Sequence, residues 1–531
     1  MRTTLVRGAA AVTGSVLALG LGLTVPSAQA ATIAAPVGAD PAPAAAGASY
    51  LAAQPDPATG IIKTYYVFPE NTPAQSFEDY GLTIDAGFAL DAVGGQQAKL
   101  AAVTTALETH IGDYVSGGGS AAKMGAFLLS QGRTGAPVNG VVTTLEGHIE
   151  TTAPNAGRLV DADPNDFNTP LTQAYAVSAL HKSGSAKAGA ALGYLLQQQC
   201  AAGFFRGSFS AKASPTQSCD AAAAPTGNVD TTGLAVLMLQ DQTSTPAVAT
   251  AVSKAADWLA TQQAANGSFN SGNANSTGLA GWALGVTGRT TDAKEAALWL
   301  RGQQLANAGS CAKYAAKDNG AITLDALGLA NAATGPLGQV DNSVATRSTA
   351  QALPALLWAP GGTAAGANTL TAPTGFVPAG SAQSVAVSGA PGNTVCLSTG
   401  GTGTRAVLDA TGKATLALTA PATTGKVTVS VVDAGGETDT ASFTALSATK
   451  LDLDLKKSKV TKGAKIVVKV SGLAAGETVT VSVGGKDVKT TANAAGKAKV
   501  KVVAKKIGKT KVKARGAFAN RKGKATVTVT R

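Results

Sequence analysis

Aromatic residues make up only 5% of this 531-residue chain and charged residues only 14%; there are just four cysteines and three histidines. Each shortage excludes something. With 45% hydrophobic residues and 63 glycines the chain is no disordered polyelectrolyte, and its cores must be built mainly from Ala, Val and Leu. Four cysteines in this length exclude a disulfide-dense miniprotein, and the absence of any Cys-x-x-Cys removes the main support for zinc ribbons and thioredoxin-type chemistry. His110, His148 and His181 have neither a Cys neighbour nor i, i+4 His spacing, so no metal site is expected. After the first thirty residues no apolar run reaches the ~20 residues a membrane span needs, so no transmembrane segment is expected. The length itself exceeds the roughly 250–300 residues one core supports, and several domains are expected.

Export is legible at the start. Arg2 and Arg7 precede an apolar run from Ala9 to Val25, and Ala28-Gln29-Ala30 then places small residues where a signal peptidase reads. Residues 1–30 are therefore expected to be a signal peptide, followed by an Ala/Pro-rich linker over 31–46, and the mature protein is expected to be secreted, extracellular or cell-wall associated. Export permits disulfides. Cys200 and Cys219 fall in one loop-like stretch whose closure contributes about 3 kcal/mol by chain entropy, so that bridge is expected. Cys311 and Cys396 are left open between pairing and buried thiols.

From 47 to 358 a two-part helical unit recurs. Its clearest copy begins with a helix bearing Val248, Val252, Ala255 and Leu259 and passes through Trp258-Leu-Ala-Thr-Gln-Gln263. The turn Asn266-Gly-Ser-Phe269 follows, and then a second helix, Gly278-Leu-Ala-Gly-Trp-Ala-Leu284, behind the polar stretch Asn275-Ser276-Thr277. The first part returns at Tyr50–Gln54, Tyr194–Gln199 and Trp299–Gln304. The second returns at Leu82, Leu171, Asp230 and Ile322–Gly328, and more weakly at Ser120. Neither helix of such a hairpin buries its apolar stripe alone, so neighbours must stack, and Ala/Gly-rich second helices suit a tight inner ring. Six of them, with a closing segment from Ala345 to Leu357, complete a circle.

The aromatic-Leu-x-x-Gln-Gln…Gly-Ser-Phe pattern resembles the prenyltransferase/squalene oxidase repeat of the terpenoid cyclase-like superfamily. That resemblance implies an α/α toroid of about six helical hairpins. It is closest in kind to secreted bacterial proteins that follow this repeat with immunoglobulin-like modules, for which it implies a fold and no established reaction. The catalytic signatures of the superfamily's branches are not found. The nearest string to the cyclase Asp-x-Asp-Asp, Asp161-Ala-Asp163-Pro-Asn-Asp166, is wrongly spaced and reads as a solvated turn; Asp452-Leu-Asp454 sits in strand sequence. Zinc ligands, a thioester Cys-Gly-Glu-Gln and a Gly-x-Ser-x-Gly elbow are all missing, and few aromatics are available to stabilise a carbocation. No catalytic residue, metal or cofactor is expected.

A ligand mouth is expected where the second-type helices begin. Asp85, Thr172, Gln173, Asp230, Thr231, Thr232, Ser276 and Thr277 fall at equivalent positions there, as N-caps, as a polar ring for an anionic or hydroxylated small molecule, or as both. Trp258, Trp282, Trp299 and Tyr175 read as core.

After a linker at 359–368, period-2 alternation takes over in Ser384–Ser388, Lys426–Val432, Lys465–Val470 and Thr478–Val483. The segment repeats itself at an offset of about 84 residues: Pro391-Gly-Asn-Thr matches Ala475-Gly-Glu-Thr, and Cys396 aligns with Thr480. Two immunoglobulin-like β-sandwiches are expected, over 369–446 and 447–531. The fold class is thus multidomain α plus β, an α/α toroid followed by two sandwiches. The chain's charge of +12 is unevenly placed. From Ser447 to Arg531 there are 22 Lys plus Arg against 4 Asp plus Glu, and everything before is net acidic. Lys497, Lys499 and Lys501 alternate on one strand, Lys509, Lys511 and Lys513 on the next, and together they are expected to dock on cell-wall teichoic polymers, acidic glycans or lipid headgroups. Nucleic acid is not expected, because Phe518 is the module's only aromatic residue for stacking. The resulting expectation is a secreted, non-catalytic binding or cell-surface-associated protein. Its alternatives are a small-molecule carrier resembling corrinoid-binding proteins and a diverged cyclase- or prenyltransferase-like enzyme.

Overall fold

The computed structural model describes residues 35–531 apart from 70–71, 163–165, 223, 363–367 and 401; the expected signal peptide lies outside the described residues. The first part is helical: α1 Ala42–Ala52, α2 Tyr80–Val93, α3 Gln97–Thr109, α4 Ile111–Tyr114, α5 Gly118–Ser130, α6 Ala136–Gly147 and α7 Pro170–Lys182. It continues with α8 Ala188–Gln197, α9 Val229–Leu239, α10 Pro246–Gln262, α11 Ala274–Val286, α12 Thr290–Gln303, α13 Ala326–Ala332 and α14 Gln339–Ala352. Helices α2, α5, α7, α9, α11 and α14 pack each on the next, and α14 packs back on α2, closing an inner ring. Helices α1, α3, α6, α8, α10 and α12 lie outside it. This is an α/α toroid.

Local chemistry explains why the unit repeats. A Gln just past the end of an outer helix donates its amide both to a loop carbonyl and to the next outer helix: Gln199 to Gly203 and Ala251, Gln263 to Gly267 and Asp292, Gln304 to Gly320 and Pro43. Pro43 directly precedes the buried Ala44 of α1, so Gln304 also closes the outer ring. The loop glycines are obligatory. Gly157, Gly203, Gly267 and Gly320 all have positive φ, and a Cβ on any of them would lie 2.1–2.4 Å from a carbonyl oxygen of the adjacent outer helix. Each loop then crosses to the inner ring, where a buried backbone N–H meets a side chain of the inner helix, in the first turn of α2, α7, α9 and α11 and near the C-terminal end of α14. Ile62 donates to Thr83, Leu159 to Gln173, Phe205 to Thr232, Phe269 to Thr277 and Ile322 to Thr349, at 2.8–3.0 Å.

Two expectations need correcting. The linker expected over 31–46 already contains the start of α1, because Pro41 leads an Ala-rich segment that buries Ala44, Ala48 and Leu51. The copy expected at Ile322–Gly328 supplies no inner helix. Ile322 is the crossing residue, α13 is a short insertion, and the sixth inner position belongs to α14, whose Thr349 receives the Ile322 N–H. Between α14 and α2, Arg347 binds the Asp79 carboxylate at 2.6 Å while Asp79 caps α2 through the Leu82 N–H.

Two β-sandwiches follow a small hairpin, β1 Lys63–Tyr66 with β2 Gln75–Glu78, inside the toroid sequence. The first sandwich holds β3 Thr369–Thr371, β4 Phe376–Pro378, β5 Ala382–Ser388, β6 Thr394–Thr399, β7 Thr402–Val407, β8 Lys413–Thr419, β9 Gly425–Asp433 and β10 Thr438–Leu446. Its sheets run β4-β10-β9-β6-β7 and β3-β5-β8. The second holds β11 Thr449–Lys450, β12 Asp452–Leu455, β13 Lys459–Thr461, β14 Lys465–Ser471, β15 Thr478–Val483, β16 Lys486–Thr491, β17 Ala498–Val503, β18 Gly508–Arg515 and β19 Arg521–Thr530. Its sheets run β11-β19-β18-β15-β16, with β13 also on β19, and β12-β14-β17. Apart from the added β11, which pairs with β19, β12–β19 repeat the topology of β3–β10. Alternating Val residues fill both cores, Val427, Val429 and Val431 in one and Val479, Val481 and Val483 in the other.

The first sandwich is fastened to the toroid. Cys311, beside a turn after α12, is disulfide-bonded to Cys396 on β6. Arg405 on β7 reaches the Ala306 carbonyl and lies 5.9 Å from the centre of the Tyr314 ring. Arg301 of α12, buried, pairs with Asp40 and donates to the Pro391 carbonyl at 3.1 Å. The space left between them is about 20 Å³, room for roughly one water. The open question about these two cysteines resolves as an interdomain bond, while Cys200 and Cys219 form the local bridge.

Candidate functional site

The residues expected at the toroid mouth are not brought together as a ligand ring. Gln173, Thr232 and Thr277 are fully buried and are spent on the crossing backbones of Leu159, Phe205 and Phe269. They point into the wall. Thr172 forms a capping box with Thr169. Thr231 is buried and its N–H is held by Asn228, the actual cap of α9; Asn273, rather than Asn275, Ser276 or Thr277, caps α11. Ser276 accepts from Asn270 at 2.8 Å. The caps fall a residue or more earlier than expected, which turns the following hydroxyls away from where caps would aim them.

Two acids remain. Asp85 is neutralised by Lys123 at 2.7 Å, and Lys123 sits 5.7 Å over the ring of buried Tyr175. Tyr175 stacks on Phe88, and Phe88 meets Phe127 edge-on at 5.2 Å, so aromatic contacts join the inner helices α2, α5 and α7. Burial, with Asp85 and Tyr114 nearby, pushes the Tyr175 hydroxyl well above its usual range. Asp230 has one buried carboxyl oxygen without a partner, and burial raises its pKa against an opposing hydrogen bond from Ser276.

A cavity of about 490 Å³ does open on the ring, at the other end, where the inner helices finish. Phe88, Leu237, Met238 and Trp282 give it apolar walls, Ser178 and Asp91 polar points, and the Lys182–Asp241 ion pair lies at its edge. Burial raises the Asp91 carboxyl, and the Trp282 Nε1–H is buried without an acceptor. Trp282, expected as core, thus lines a cavity. Among the described residues no group of three or more His, Cys, Asp or Glu is placed to hold a metal ion, and no helix is long and apolar enough to cross a membrane.

The basic residues of the last sandwich divide between two faces, which corrects the single docking face expected for them. Lys499 and Lys501 stand on β17 in the smaller sheet, with Lys497 just before it; Lys509, Lys511 and Lys513 stand on β18 in the larger sheet, on the opposite side of the sandwich. The smaller sheet's outer face mixes signs. Lys469 is paired across strands with Lys499 and with Asp454, whose carboxylate it reaches at 3.5 Å, and Asp452 lies one pleat away. The larger sheet's outer face is nearly all basic. Register places Lys513 opposite Lys524, Arg515 opposite Lys522, and Lys450 beside Lys522. Lys509 and Lys511 continue the row opposite Thr528 and Thr526; Lys489 and Lys459 flank it. Its one acid is Asp487, hydrogen-bonded to Ser482. Lys450, Lys513, Arg515, Lys522 and Lys524 border a depression of about 610 Å³. Among the described residues none of these five cations has a carboxylate within 4 Å. Lys450, Lys522 and Lys524 went unremarked in the sequence, although 522 and 524 alternate as plainly as 511 and 513.

No protein-family model and no curated protein matches the chain. Among solved structures, the toroid part is similar to the type II terpene cyclase MstE from Scytonema: 14% identity over 59% of this chain and 98% of that one, TM-score 0.38. A protein from Actinoplanes is similar at 18% identity over 58% and 99%, TM-score 0.38. The sandwich part is similar to the adhesin InvE of Yersinia pseudotuberculosis at 20% identity over 31% of this chain, TM-score 0.19, and spans 59% of that adhesin.

Proposed function

We propose that the protein is an exported binding protein held on an anionic cell-envelope polymer by its last sandwich, with the toroid presented as a platform for a ligand or partner. One observation carries this reading: the outer face of the β18–β19 pair gathers cations that no carboxylate neutralises, in a module with 22 basic against 4 acidic residues. Such a face gains affinity by displacing counterions from a polyanion, whatever its sequence. The leader-like first thirty residues and the two disulfides support export. The ion-paired Asp85 and the stacked aromatic residues in the ring support a role in binding rather than in catalysis. Retention of the full chain on isolated envelopes tests the reading. Bound fraction falls steeply with NaCl if charge holds it; salt-insensitive retention contradicts it.

One further observation favours a second role for the toroid, that of a small-molecule carrier. The cavity at the ends of the inner helices combines aromatic walls with the unpartnered Trp282 Nε1–H and the partly desolvated Asp91. A carrier's melting temperature rises on adding its ligand; a screen of apolar amines and hydrogen-bond acceptors that moves nothing removes this role.

A further inference from the structure

We propose that the β18–β19 face binds one kind of polymer, an extended phosphodiester with a three-carbon polyol between phosphates, such as poly(glycerol phosphate). The proposal rests on the reading that the last sandwich holds a polyanion; it adds which face does so and which chemistry it fits.

The argument is one of pitch. Side chains on one face of a strand recur every two residues, which is every six backbone bonds, or about 6.6–6.8 Å. Lys509, Lys511, Lys513 and Arg515 form a row of four cations with that repeat. All four are exposed, and their neighbours Val512 and Ala514 are buried. A phosphodiester with a three-carbon spacer also carries one charge every six backbone bonds. By the same bond lengths and angles its extended repeat is about 7 Å. Laid along β18, such a chain meets one cation per phosphate across the whole row without falling out of step. A glycan with one carboxylate per disaccharide has a longer charge repeat and loses register after the first contact.

The second strand thickens the row. Lys524 stands directly opposite Lys513 and Lys522 opposite Arg515, so two cations flank each phosphate at that end, beside the depression of about 610 Å³. Two like charges at a cross-strand pair are unfavourable in a bare sheet, and a phosphate between them reverses the sign of that interaction. Thr526, opposite Lys511, offers its hydroxyl to the polyol. The lysines suit a flexible chain, since an ammonium is a point charge on a mobile stem and demands no fixed approach. The smaller sheet has the same pitch but breaks it with Asp452 and Asp454.

Two quadruple variants of the full chain separate face from net charge, because each removes four positive charges. One is Lys509→Gln, Lys511→Gln, Lys513→Gln with Lys524→Gln; the other is Lys465→Gln, Lys469→Gln, Lys499→Gln with Lys501→Gln. Affinity for poly(glycerol phosphate) is measured against NaCl concentration, with hyaluronan as the carboxylate polymer. The first set is expected to weaken binding by more than about thirtyfold at low salt and to flatten the log–log salt slope by about 3, the second to weaken it by less than about threefold. The native chain is expected to prefer poly(glycerol phosphate) to hyaluronan by at least about tenfold at equal charge concentration. Equal losses from the two sets, or equal affinity for the two polymers, overturn the proposal while leaving polyanion binding intact. No binding to either polymer by the native chain overturns both it and the reading beneath it. Melting temperatures check that each variant folds. If a quadruple fails, the cross-strand pairs Lys513→Gln/Lys524→Gln and Lys469→Gln/Lys499→Gln give the same contrast with two charges each.

Discussion

The two sandwiches share a strand order, and the same sheet face is covered at one end in the first and left open in the second. With Cys396 aligned to Thr480, Lys426, Thr428, Ser430 and Val432 on β9 occupy the places of Lys509, Lys511, Lys513 and Arg515 on β18, and Arg405 that of Lys489. In the first sandwich one end of this face is covered by the toroid. Gly309 lies against Val432, Cys311 is bonded to Cys396, and Arg405 is folded over Tyr314. In the second, the equivalent Thr480, Lys489 and Arg515 are uncovered and the row is basic. The module fastened to the toroid and the module whose face is left open thus differ by side chains on that face, with strand order kept.

The interiors differ in polarity at one aligned position, that of Glu477, and the largest expected effect lies there. Glu477 and Arg521 form a fully buried pair, 2.7 Å apart, in the second sandwich; at the position of Glu477 the first has Asn393, bonded to Asp433. Burial opposes charge on Glu477, yet hydrogen bonds from Arg521 and from the Ala474 and Ala517 N–H groups hold its carboxyl below the usual range. Glu477→Gln strands the guanidinium of Arg521 and should destabilise this sandwich by about 3–5 kcal/mol, read as loss or early melting of one calorimetric transition. The pH dependence has a definite sign. A depressed folded pKa gives stability that is present above the unfolded value near ~4.3 and is lost as pH falls through the folded one. The native module therefore weakens below about pH 4, and the Gln variant lacks that component.

Next in size is the clasp. Cys311→Ser with Cys396→Ser opens a closure of 85 residues and should cost up to about 4 kcal/mol by chain entropy. The loss should appear as faster hydrogen exchange over 305–314 and β6, with β15–β19 unchanged; exchange that stays slow shows that docking needs no covalent bond. A graft then tests whether the face alone decides the use. Thr428→Lys, Ser430→Lys and Thr440→Lys copy the second row onto the first sandwich, and should raise polyanion affinity about three- to tenfold and steepen the salt slope by up to about 2. No gain implies that the neighbouring toroid prevents access. The smallest effect is expected from Asp487→Asn, which removes the only acid of the basic face and should tighten binding by about twofold or less.

Much of the fold was legible in the sequence, for identifiable reasons. The Gln-Gln and Gly-Ser-Phe stretches recur because each repeat reuses the same amide clamp and the same crossing N–H, and strand alternation marks the sandwiches. The closing segment expected at Ala345–Leu357 overlaps α14, but its start and its place as the sixth inner helix are hidden in the sequence because its inner positions are polar. Ser343, Thr346, Ser348 and Thr349 are buried, their hydroxyls satisfied by carbonyls four residues back, so no apolar stripe announces an inner helix. The mouth residues were misplaced for a related reason. A one-residue error in a helix start turns a side chain by about 100°, enough to carry Thr232 or Thr277 from lumen to wall. The alternation of Lys499 with Lys501 and of Lys511 with Lys513 was plain. Which sheet each strand joins depends on pairing with strands tens of residues away, and that no local pattern encodes.

Lysine reactivity across the last sandwich tests the central claim most directly, that one sheet face is built to meet a polymer. The full chain is acetylated at trace level, free and bound to poly(glycerol phosphate), and each lysine is quantified. The account predicts protection of Lys509, Lys511, Lys513, Lys522 and Lys524, with Lys465, Lys469, Lys499 and Lys501 as reactive as in the free protein. Even protection of both faces, or protection confined to the smaller sheet, contradicts it.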